Sequence, residues 1–68
     1  MKLLNEKDLL QFDKPKLLEY IIKQIEFIDK NRGYSSGVSK FKLINYPKEV
    51  LIKIALTNNE YVKEFSNV

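Results

Sequence analysis

The chain contains no cysteine, no histidine and no tryptophan, and among its 68 residues are only two glycines, two prolines, one arginine and one alanine. Without cysteine there is no disulfide framework and no thiolate metal site. Without histidine there is no imidazole zinc ligand and no Ser-His or Cys-His nucleophile pair. No apolar run approaches the roughly 18 residues of a membrane span. The opening Met1-Lys2-Leu3-Leu4-Asn5-Glu6-Lys7-Asp8 turns polar and acidic too soon for a secretory signal. The expectation is a cytoplasmic protein with no membrane attachment.

What is present has the balance of a globular chain, 44% hydrophobic and 31% charged, rather than a disordered tail. Its length allows one domain over residues 1–68 and one small core. A domain of this size buries only about 60% of the surface of its unfolded chain, so it commonly leans on disulfides, metals or a partner. The residue types rule out the first two supports as far as Cys and His supply them, which leaves a partner. The bias toward Lys, Ile, Asn and Leu points to an AT-rich genome, such as that of a low-GC bacterium or its phage.

The net charge of +3 is unevenly placed. Residues 30–48 carry Lys30, Arg32, Lys40, Lys42 and Lys48 with no acid, whereas the flanking stretches 1–29 and 49–68 are each slightly acidic. Both glycines, Gly33 and Gly37, also fall in this basic middle.

Helix signals flank it. Asn5 with Asp8 three residues later is a capping box for a short helix over residues 6–12, with Leu4 placed to staple onto Leu9. Asp13 caps the next helix, with Phe12 stapling onto Leu17 and Pro15 tolerated in the first turn. That helix runs from about residue 14 to 31 and stops at Gly33. Leu17, Leu18, Ile21, Ile22, Ile25 and Ile28 form its apolar face, which Tyr20 and Phe27 widen to roughly 220°. Glu19-Lys23 and Glu26-Lys30 are i,i+4 pairs on the opposite side.

Pro47 opens a helix over residues 47–56 whose Val50, Leu51, Ile52, Ile54, Ala55 and Leu56 are apolar nearly all round, the pattern of a helix inside a bundle. Thr57 with Glu60 is a further capping box, predicting a separate last helix over residues 58–65.

Residues 39–45 fit two readings. As a strand, Phe41 and Leu43 lie opposite Lys40, Lys42 and Ile44. As a helix capped by Ser35 or Ser36, Val38, Phe41 and Ile44 fall near one face. Gly37 and the Phe-Lys-Leu-Ile pattern favour the strand, which would need a mate from a second copy. The fold class expected is therefore mostly α: a small bundle of about four helices with a basic central loop and a short β-strand.

Enzyme chemistry has little to work with. Glu19, Glu26 and Asp29 share a helix face, which suits solvated Glu-Lys pairing better than a cation site. Gly33 and Gly37 frame Tyr34-Ser35-Ser36, which is no phosphate-binding fingerprint. We expect no enzyme, no metal, no cofactor and no small-molecule substrate.

Two binding surfaces stand out instead. Lys30, Arg32, Tyr34, Ser35, Ser36, Lys40, Lys42 and Lys48 combine cations, hydroxyls and an aromatic, the parts that hold phosphates and stack on bases. Residues 41–51 are loosely similar to the strand followed by a Pro-initiated helix of ribbon-helix-helix repressors. That resemblance implies a DNA-binding dimer with Lys40 and Lys42 toward DNA. The long helix before the strand and the short last helix depart from that family's pattern. The second surface comprises Tyr20, Phe27, Tyr34, Phe41 and Tyr46, aromatics able to anchor a protein partner or a homodimer. The expected function is regulation or inhibition by protein binding, in a phage- or mobile-element-encoded protein. A small basic DNA- or RNA-binding dimer is the alternative.

Overall fold

A computed structural model describes residues 2–35 and 37–66. Of these, 73% are helical, in four helices, and no strand occurs among them. The mostly α bundle is therefore the observed fold.

Helix α1 (Glu6–Leu10) starts at the expected capping box. The Asn5 side chain accepts from the Asp8 N–H at 2.9 Å, and the Asp8 carboxylate accepts from the Asn5 N–H at 3.4 Å. It ends two residues earlier than the pattern suggested. There the Gln11 and Phe12 N–H groups turn back to the carbonyls of Asp8 and Leu9, tightening the chain out of the α-helix. Lys48 Nζ donates to the exposed Leu10 carbonyl at 3.1 Å, a lysine closing a helix C-terminus from elsewhere in the chain.

Helix α2 (Lys14–Arg32) is capped by Asp13, whose carboxylate accepts from the Lys16 N–H at 3.0 Å. Gly33 ends it at φ 83°, a left-handed conformation that L side chains adopt at a cost, with its N–H on the Asp29 carbonyl at 2.9 Å.

Two expectations are corrected downstream. Residues 39–45 form no strand: Lys40–Leu43 is a single helical turn, α3. Its cap is Ser39, which accepts from the Lys42 N–H, rather than Ser35; Ser36 lies outside the described residues. The helical turn satisfies its own backbone, with the Lys42, Leu43 and Ile44 N–H groups on the Ser39 and Lys40 carbonyls, whereas a strand would have needed a second one. Lys14 Nζ closes the turn by donating to the Ile44 carbonyl at 2.7 Å.

The second correction concerns the last helices. Lys48–Ser66 is one unbroken helix, α4, despite the Thr57-Glu60 signature. A capping box contributes about 1 kcal/mol. Continuity places Asn59 and Val62 on the same buried stripe as Leu51, Ile52 and Ala55, and a break would give that up.

Helices α2 and α4 make the main interface, and α1 and α3 pack against them. The core joins Leu9 of α1, Leu17 and Ile21 of α2, Leu43 of α3, and Leu51 and Ala55 of α4. The Cα envelope measures 31 × 25 × 14 Å. At helix spacings of about 8–10 Å, its thin dimension admits only two layers. Accordingly α4 is not enclosed on all sides: Val50, Ile54 and Leu56 stay half-buried. No helix is long and apolar enough to cross a membrane, among the described residues.

Candidate functional site

Tyr20, expected at a partner surface, is a core residue. It is only 8% exposed, and its hydroxyl donates to Asn59 Oδ1 at 2.8 Å while accepting from the Leu4 N–H at 3.0 Å. Asn59 Oδ1 also accepts from Gln24 Nε2 at 2.6 Å, and Asn59 Nδ2 donates to the Leu4 carbonyl at 2.7 Å. Gln24 Nε2 donates further to the Ala55 carbonyl at 2.9 Å. This network ties α2 to α4 and straps the N-terminal segment over both. Buried amides of this kind stabilise only when paired, and this set is nearly so, Gln24 Oε1 excepted.

Neither amide was singled out from the sequence. Gln24 sits four residues after Tyr20, three after Ile21 and seven after Leu17, so a polar residue in the middle of an apolar stripe was the available signal. Asn59 holds the same position on α4, four after Ala55 and three before Val62, but only if the helix is continuous.

The opposite side of the bundle is open. The chain reverses at Gly33, and α3 returns along α2, leaving a groove of about 400 Å³ between α2, α3 and α4. Ile25, Ile28, Leu43 and Ile54 supply its apolar lining, and Val38, Tyr46 and Tyr61 line it too. On the segment that carries Lys42 and Leu43 into it, Phe41 is 84% exposed and Ile44 48%, and Tyr34 in the preceding loop is 62% exposed. Tyr34 is carried beside the groove by stacking on the Arg32 guanidinium, 4.6 Å from the ring centroid.

The polar lining is Asp29, Arg32, Lys42 and Asn58. Arg32 and Asp29 form a part-buried ion pair at 2.8 Å. The hydrogen bond that Arg32 donates to the Asp29 carboxylate raises the Arg32 pKa above its ordinary value, so the guanidinium stays charged. Arg32 Nε and Asn58 Nδ2 are both shut off from water without an acceptor.

The predicted basic site is not assembled as one patch. Arg32 and Lys42 share the groove, but Lys40 lies beside Glu19, Lys23 and Glu26 on another face, and Lys48 is engaged at the end of α1. Lys30 lines a separate depression of about 580 Å³ with Lys2, Lys23, Glu26 and half-buried Phe27. Ser35 accepts from the Gly37 N–H within the loop, and Ser36 lies outside the described residues. Of the expected interface aromatics, Tyr46 lines the groove, Tyr34 stacks on its Arg32, Phe41 is exposed on α3 outside the lining, Phe27 lies apart and Tyr20 is interior.

The carboxylates Glu19, Glu26 and Asp29 are also separated, the first two lining one depression and Asp29 the groove. No group of three potential ligands is close enough to hold a metal, among the described residues. Comparisons with protein-family models, curated proteins and solved structures return no match, so these residues and their geometry alone carry the functional reading.

Proposed function

We propose that this is a non-enzymatic regulatory or inhibitory protein that binds a protein partner through the groove between α2, α3 and α4. The observation that carries the reading is the clustering there of exposed large side chains. Val38, Tyr46 and Tyr61 line one apolar cleft and are each at least 40% exposed, and Tyr34, stacked on the cleft's Arg32, is 62% exposed. Contiguous apolar patches are uncommon on monomers and mark interaction sites, and tyrosine and phenylalanine are enriched where proteins meet. Because α3 needs no strand partner, dimerisation through a shared ribbon is no longer required. The scatter of the cations over several faces also favours a protein over a nucleic-acid backbone, which is gripped by a row of them.

The test compares capture of partners from the native host's cytosol by the wild-type chain and by a Phe41→Ser plus Tyr46→Ser variant, each with and without nuclease. The expected result is a protein partner that survives nuclease and is lost with the variant. Capture abolished by nuclease would replace this reading with the nucleic-acid one.

A further inference from the structure

Resting on that protein-binding reading, the chemistry of the groove specifies what kind of segment fits it. Its floor is aliphatic, and its volume, near the lower end of ligand-sized clefts, has room for about one or two large apolar side chains. Its charged lining is asymmetric. Lys42 and Arg32 are cationic, and the single acid, Asp29, is hydrogen-bonded to Arg32. No carboxylate occurs anywhere in residues 30–48, so nothing on the loop and α3 side repels an anion.

The unpaired groups agree in sign. Arg32 Nε and Asn58 Nδ2, both on groove-lining residues, are donors lacking acceptors. A buried donor left unpaired costs about 1–3 kcal/mol, so an incoming acceptor that a turn of either side chain can reach is favoured over another donor. A second copy of this chain docking face to face would bring Lys42, the lining charge that the Arg32–Asp29 pair leaves unbalanced, toward its own copy, which is unfavourable in an isologous contact.

We propose that the groove takes a short acidic segment of a partner protein, with leucine- or phenylalanine-like side chains on the aliphatic floor and carboxylates facing Lys42 and Arg32. The carboxylates supply the discrimination and the apolar side chains most of the affinity.

The test is an amide-resolved NMR titration of the full chain with two blocked hexapeptides. Both have a Leu-Phe centre; one is flanked on each side by two glutamates and the other by two lysines. The acidic peptide should shift the signals of Ile28, Leu43 and Asn58 and bind at least about tenfold more tightly than its basic twin. Raising salt from about 0.05 M to about 0.5 M should weaken it. Lys42→Glu should erase the preference while the fold is retained, since a glutamate at the third helical position behind Ser39 completes a capping box.

Equal binding of both peptides in the groove overturns the acidic-segment proposal and leaves the protein-binding reading intact. Acidic-peptide shifts confined to Lys2, Lys23 and Lys30 overturn it too, moving the anion site to the other depression. If neither peptide moves a groove signal at about 1 mM, the proposal fails. The broader reading fails with it only if partner capture is also indifferent to Phe41→Ser plus Tyr46→Ser.

Discussion

At the closed side of the bundle, where the N-terminal segment crosses α2 and α4, the polar groups of Tyr20, Gln24 and Asn59 are turned inward and bonded to one another and to Leu4. At the open side, the described residues of 33–47 bury only Leu43 and leave Tyr34, Phe41, Ile44 and Tyr46 in solvent. Both sides have tyrosines, amides and aliphatics, and the difference lies in how far their needs are met within the chain. An amide inside a bonded network is committed to the fold. An aromatic outside, beside a groove whose wall holds unpaired donors, is available to something else. Core material is scarce at this length, so leaving Phe41 84% exposed is the more informative of the two observations.

The difference can be broken from either side. Asn59→Ala should have the largest effect, destabilising by about 2–4 kcal/mol, because it takes a partner at once from the Tyr20 hydroxyl, the Gln24 amide and the Leu4 carbonyl. Urea unfolding followed by circular dichroism measures it, and a loss under 1 kcal/mol, well below that range, would mean that water replaces the network readily. Leu43→Ala should cost about 2–3 kcal/mol, since it removes the side chain by which α3 reaches the core. A much smaller loss would show α3 to be loosely held. Gly33→Ala, at φ 83° with open space around the missing Cβ, should cost about 1 kcal/mol from backbone conformation alone. Phe41→Ser should change stability by less than about 0.5 kcal/mol, as befits a surface position. A loss several times larger would make Phe41 a structural residue rather than one free to meet a partner.

The legible parts of this fold are those decided within one or two turns. Asn5 with Asp8, Asp13 with Pro15, and Gly33 mark the helix ends close to where they occur, because caps and left-handed stops act on neighbouring backbone groups. Where local signals competed, the tertiary contacts prevailed. Residues 39–45 could coil or extend, and what favours the helical turn, capped by Ser39, is that Leu43 reaches the core while no second strand exists among the described residues for the backbone to pair with. Thr57-Glu60 could start a helix, yet the stripe of Ala55, Asn59 and Val62 against α2 runs straight through it. The candidate site was legible in composition and not in arrangement. Tyr34, Phe41, Tyr46, Arg32 and Lys42 were marked, but Asn58 was not, and Tyr20 was assigned to the wrong side of the surface.

By itself, then, the amino-acid order determined the helical class, the caps of α1 and α2, the exclusion of cysteine and histidine chemistry, and the run of residues 30–48 that carries positive charge without any acid. Only the tertiary structure decided that this charge is spread over several faces, with Arg32 and Lys42 alone in the groove, and that Tyr20 is spent on Asn59 while Phe41 is left free. The physical reason is reach. Caps, breakers and charge density are properties of a few consecutive residues. Whether an aromatic is buried depends on which side chain from a distant helix arrives beside it, and for Tyr20 that partner lies 39 positions further along the chain.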